Sequence, residues 1–89
     1  MNSATIIRAD GTEEALDHRP SLEEAQKIVG GYVELVKVGG NRTLVVDDEG
    51  KLKGKPANKV ITIIYGSQIY GGYIVGDVVV LEGWKTVGD

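Results

Sequence analysis

Eighty-nine residues carrying a net charge of −3 and no cysteine make one domain, residues 1–89, with no disulfide, no thiolate metal site and no cysteine nucleophile. A chain this short buries a modest fraction of its surface, so a second subunit would add stability. Residues 1–10 hold no basic start followed by an apolar run, and the longest apolar run, Val78–Leu81, falls far short of the roughly 20 residues of a membrane span; a cytoplasmic protein with no membrane contact is expected.

Ala4-Thr5-Ile6-Ile7 is a short β-forming run, and Asp10-Gly11 closes it with a turn signal. Glu14 to Asp17 predicts a weaker edge strand, broken by Pro20. Ser21-Leu22-Glu23-Glu24 is a capping box: the Ser21 hydroxyl can accept from the Glu24 N–H while the Glu24 carboxylate reaches back to the Ser21 N–H. Leu22, Ala25, Ile28 and Val29 then share one helical face, and Gly30-Gly31 can end the helix in the left-handed conformation. The spacing predicts a helix over 22–29, too short to stand alone, with its apolar stripe on a sheet.

Tyr32 to Val38 is rich in β-formers, Gly39-Gly40-Asn41 reads as a hairpin connection, and Arg42 to Asp47 returns as a strand. Asn58 to Gly66 is ambiguous. Val60-Ile61-Thr62 favours a strand, yet Asn58 is a good N-cap and Ile61, Ile64 and Tyr65 share a helical face. Tyr73 to Leu81 is strongly β with a break at Gly76-Asp77, and Val78–Leu81 has no polar face, so it should be covered on both sides. Residues 84–89 read as a loose tail, with Trp84 as its candidate anchor. The core expected from these patterns is Ile6, Leu22, Ala25, Ile28, Val29, Val33, Leu35, Leu44, Val46, Ile61, Ile64, Val78 and Val80. Tyr32, Tyr65 and Tyr73 are expected along the core edge with their hydroxyls in water.

Charge is uneven. Residues 35–59 carry Lys37, Arg42, Lys51, Lys53, Lys55 and Lys59 against Asp47, Asp48 and Glu49, a basic island between two acidic flanks. Such asymmetry suits an anionic partner or a solvated connection. Gly50 to Lys55 fails as a phosphate loop: three residues separate its glycines, and Pro56 stands where the hydroxyl is needed. Asp47, Asp48 and Glu49 fail as a calcium loop, because the acids are consecutive and Pro56 takes the place of the closing glutamate. No metal site and no cofactor are expected. His18 is the one histidine and Ser21 is claimed by the cap, so no nucleophile–base set is recognisable and no enzyme is expected.

Two blocks together resemble a known family: Ser21 to Val36 (S-L-E-E-A-Q-K-I-V-G-G-Y-V-E-L-V), and Val45 to Lys59 (V-V-D-D-E-G-K-L-K-G-K-P-A-N-K) followed by Tyr73 to Leu81. They resemble domain of unknown function 3846, small proteins of bacteriophages, prophages and their hosts. The resemblance covers about Thr5 to Gly83, and its more specific parts are the helix–Gly-Gly–strand join and the E-G-x-L-x-G-x-P-x-N run. It brings no catalytic residues. It does imply that Asn58 caps a short helix through about Tyr65, although Val60-Ile61-Thr62 departs from the family's helix-compatible run.

The expected architecture is α+β: a small, mainly antiparallel sheet of four or five strands, with one capped helix and a second short helix packed on one face. The leading functional expectation is a non-enzymatic accessory protein of a phage or mobile element that contacts an unknown host or phage protein. A second is nucleic-acid or nucleotide binding through Arg42, Lys51, Lys53, Lys55 and Lys59, with affinity that falls steeply as salt rises. A third is a small enzyme using Asp47, Asp48 or Asp77. Uncovered edge strands also invite pairing into a homodimer.

Overall fold

A computed structural model of the chain describes residues 2–84. Five strands and two α-helices follow in the order β1 (Ser3–Ile7), β2 (Glu13–Leu16), α1 (Leu22–Val29), β3 (Val33–Val38), β4 (Arg42–Asp47), α2 (Lys59–Tyr65) and β5 (Val78–Glu82), with one 3-10 turn at Gly66–Gln68. The strands form a single antiparallel sheet in the order β2-β1-β5-β4-β3. The α+β class is as expected.

The last strand among the described residues lies at the centre of the sheet. Pairing Ile6 with Val79 on one side and Val45 with Val79 on the other places β5 between two hairpins. Its sequence explains that place, because Val78, Val79, Val80 and Leu81 are apolar on both faces. Alternation then sorts the core into two layers. Ala4, Ile6, Val45, Val79 and Leu81 pack with Ala25 and Val29 of α1. Ile7, Leu44, Val46, Val78 and Val80 pack with Ile61 and Tyr65 of α2. The helices therefore lie on opposite faces of the sheet rather than together on one. A sheet whose central strands are apolar on both sides needs cover on both.

Local signals set the helix ends. The Ser21–Glu24 capping box forms in both directions, at 3.1 Å each way. Gly30 takes φ 83°, the left-handed conformation only glycine adopts without strain, and its N–H donates to the Gln26 carbonyl at 2.8 Å. Asn58 caps α2 through the Ile61 N–H at 3.1 Å, which resolves the ambiguous stretch as helix. Gly66 does not end the helical path. It stays right-handed and leads into the 3-10 turn, and a Cβ there would lie 2.8 Å from the Gly72 carbonyl oxygen.

Other expectations shift. The second strand begins one residue earlier than read, and β5 begins only at Val78, with Val75 making a single bridge to Ala57. Leu22, Leu35 and Ile64 are exposed instead of core, while Ala4, Ile7, Val45, Val79, Leu81, Tyr65 and Ile74 are buried. In α2 the buried pair is Ile61 and Tyr65, four residues apart, and Ile64 falls outside that stripe. Tyr32 is largely exposed rather than on the core edge. Trp84 packs against the α1 layer, and the tail expected over residues 85–89 lies outside the described residues.

Candidate functional site

The basic segment folds back on its own chain. Asp47 ends β4 with its side chain only 1% exposed. Its Oδ2 accepts from Lys53 Nζ at 2.9 Å and Lys55 Nζ at 2.6 Å, and its Oδ1 accepts from the Glu49 N–H at 2.9 Å. Lys53 Nζ also donates to the Gly30 carbonyl at 3.1 Å and Lys55 Nζ to the Val29 carbonyl. These are the last carbonyls of α1, which lack helical partners and carry negative partial charge. Two ammonium groups on one carboxylate leave an excess positive charge, and the helix end offsets it. Burial alone would push the Asp47 carboxyl up, but the hydrogen bonds from Lys55, Lys53 and the Glu49 N–H outweigh it and hold the group down at about 2. Gly31 sits against this cluster, where a Cβ would come within 2.9 Å of Asp47 Oδ1. The Gly-Gly join and the lysine-bearing run, far apart in sequence, meet here.

The remaining candidate cations do not join them. Lys51 Nζ lies 4.0 Å from the centre of the Tyr73 ring. Arg42 sits at the opposite end of β4 from Asp47, roughly 16 Å away along the strand, and pairs with Glu82 at 3.5 Å. Lys59 is exposed in the first turn of α2. Nor do the carboxylates converge: Asp47 is held by lysines, Asp48 is exposed, and Asp77 Oδ1 accepts from the Ala9 N–H at 3.0 Å. Among the described residues no group of three or more His, Asp or Glu side chains could hold a metal ion.

Asn58, completely buried, ties three parts of the chain together. Its amide nitrogen donates to the carbonyls of Ile7 and Gly76, each at 2.9 Å, while its oxygen caps α2. Its own N–H donates to Ile74 at 2.8 Å. The sequence identifies the cap but not the two donor contacts, which come from residues 51 and 18 positions away.

Among the described residues, no further strand pairs with the β3 edge of the sheet. The Asp48 N–H donates to the Tyr32 carbonyl at 2.9 Å, and the β3–β4 register places those two residues opposite one another. Hydrogen-bonded pairs alternate along an antiparallel ladder, so Glu34, Val36 and Val38 turn their backbone groups toward β4. Val33, Leu35 and Lys37 turn theirs outward. Gly39, next in the outward series, already gives its N–H to Gln68 Oε1 at 2.6 Å. Beside the edge, on the α2 side, runs a groove. One end, of about 410 Å³, is lined by Glu34, Leu35, Val36, Ile69 and Tyr70, and it continues past Glu34 and Ile74 to a smaller hollow of about 120 Å³ bordered by Lys51 and Leu52. Leu35 is 41% exposed, Leu52 86%, and Tyr70 is fully exposed. The opposite edge is different: β2 is shorter, presents Glu13 and Glu14, and ties Glu14 to Arg8 at 2.8 Å. Short charged edges resist pairing; longer apolar ones invite it. The sequence signal for the open edge is Tyr32 to Val38 with only Glu34 and Lys37 charged, although alternation there places Val33 and Leu35 in the core.

No curated protein and no solved structure matches the chain. A family model described as Domain of unknown function (DUF3846) matches residues 1–88, nearly the whole chain and both blocks that meet at Asp47. This chain belongs to the DUF3846 family.

Proposed function

We propose that this chain is a non-enzymatic interaction protein of a phage or mobile element, working in the cytoplasm, that docks protein partners through the β3 edge and the groove beside it. One observation carries this reading: beside Val33, Leu35 and Lys37, whose backbone groups turn outward, Leu52 and Tyr70 stand exposed along the groove. Exposed apolar side chains grouped beside open backbone groups are what strand addition uses, with main-chain bonds for affinity and neighbouring side chains for selectivity. The phage association rests on the family resemblance. Binding of nucleic acid through Arg42, Lys51, Lys53, Lys55 and Lys59 draws less support, since Lys53 and Lys55 already hold Asp47 and Arg42 stands apart.

Affinity capture from host lysate tests the docking surface, comparing the wild type with a Leu52→Asp/Tyr70→Asp double variant. Both side chains are exposed, so the variant should fold normally by circular dichroism. The expected result is a protein retained by the wild type and lost by the variant. Capture that is identical for both chains, or no capture at all, would sink the reading.

A further inference from the structure

We propose that the β3 edge pairs with β3 of a second copy, antiparallel, about a two-fold axis at Leu35, so that one sheet runs through both molecules. This deepens the docking reading above and rests on it for the choice of surface.

The geometry restricts the pairing closely. A two-fold axis that continues an antiparallel sheet stands perpendicular to it and keeps each face on its own side. Residues opposite one another must then point to the same face, which leaves only registers between odd and odd, or even and even, positions of β3. Backbone groups must also meet, and the outward ones belong to Val33, Leu35 and Lys37. With Leu35 opposite Leu35, Val33 falls opposite Lys37 in both directions. All three outward residues then lie in hydrogen-bonded pairs, giving about six new bonds.

The neighbouring registers do worse. A slip of two residues one way sets Glu34 against Glu34 of the second copy. The same slip the other way sets Leu35 against Lys37 and brings Gly39 into the ladder, where its N–H is already given to Gln68. A further slip sets Lys37 against Lys37. Directly opposed like charges are destabilising, whereas Leu35 against Leu35 joins two apolar side chains that are 41% exposed in the single chain. The Leu35 register opposes no charge to a like charge: Glu34 faces Val36 and Lys37 faces Val33. The β2 edge offers no equivalent, since two copies would bring Glu13 and Glu14 against the same acidic strand. Pairing at β3 also leaves Leu52 and Tyr70 of each copy beside the paired edge, so the groove of one molecule runs on into that of the other.

Sedimentation equilibrium across a concentration series tests this, with Leu35→Lys, Leu35→Glu and an equimolar mixture of the two. The wild type should be a reversible dimer. Each variant alone should place like charges at the axis and weaken association roughly tenfold or more. The mixture should recover a one-to-one dimer, because Lys then faces Glu. A wild type monomeric throughout, a variant that dimerises like the wild type, or a mixture that stays monomeric would each overturn the proposal. Hydrogen exchange on the wild type reads the same interface without substitution. The amides of Val33, Leu35 and Lys37 should slow as concentration rises while those of Glu34 and Val36 stay constant, and unchanged rates at the outward amides would also overturn it. A monomer that still captures a protein dependent on Leu52 and Tyr70 removes the dimer and leaves the docking reading standing. A dimer that captures nothing does the reverse.

Discussion

Asn58 and Asp47 are buried polar side chains with every strong contact made inside the chain, and their substitutions should separate two kinds of cost. Asn58→Ala removes the α2 cap and leaves the carbonyls of Ile7 and Gly76 without a donor, an expected loss of about 2–4 kcal/mol. Asn58→Asp keeps the cap acceptor but turns a carboxylate oxygen toward those two carbonyls. It should lose at least as much at neutral pH, as measured by urea unfolding. An aspartate that restores wild-type stability would show that the cap alone matters. Asp47 acts through its charge. Its carboxyl is depressed from 3.8 to about 2, so its contribution is present at neutral pH and is lost as pH falls from near 4 through 2. That contribution is worth about 2 kcal/mol. Thermal melts of the wild type should steepen their decline in that window, and Asp47→Asn, already destabilised, should show a flatter acid limb.

At the scale of elements, α1 shows how far local chemistry reaches. Its bounds, Leu22–Val29, and those of β4, Arg42–Asp47, follow from signals within a few residues: the capping box, the left-handed Gly30, the hairpin turn. The cap extends one step further, because His18 bridges Asp17 at 2.7 Å and Glu24 at 2.8 Å. Hydrogen bonds to Asp17 and then Glu24 raise the His18 pKa above 6.5. A raised pKa means that the protonated ring stabilises the folded state; the contribution is complete below 6.5 and disappears as pH rises through the folded value. The melting temperature should therefore slip as pH climbs above 6.5, and His18→Gln should remove that slope. α2 was less legible. Its β-branched residues favour a strand, and only the cap and the family resemblance pointed to a helix. Its apolar face, Ile61, Ile64 and Tyr65, was legible, but not that the sheet buries Ile61 and Tyr65 and leaves Ile64 out. The same holds for the lysines. Charge counting found Lys53 and Lys55, but their partners lie on α1 and β4, and no local spacing announces a contact of that range. Leu35 was misread for a related reason: alternation shows that a strand has an apolar side, not whether anything covers it.

At the scale of the molecule, a sheet covered on both faces has two thin cores rather than one thick one. Ile61 is fully buried in the α2 layer and Val79 in the α1 layer. A domain of this length is expected to have only about 5–13 kcal/mol of total stability. Ile61→Ala should cost about 2–5 kcal/mol, enough to lower the denaturant midpoint sharply. Both layers share β5, so the transition should stay single: the Trp84 fluorescence change, from the α1 side, and the loss of helical circular dichroism should coincide. Two separated transitions would mean that the faces unfold independently.

The place of β5 also bears on how the chain acquires its shape. The β1–β2 and β3–β4 hairpins, with both helices, leave the ribosome before Val78 does. Until then the two hairpins have no common neighbour, and each holds one apolar strand, β1 or β4, with a bare edge. Neither can complete its ladder until β5 slides between them and pairs on both sides at once. Joining the hairpins is thus a late, long-range event of the kind that slows folding. For that interval the nascent chain displays unfinished strand edges to its surroundings, and they are hidden only when β5 arrives.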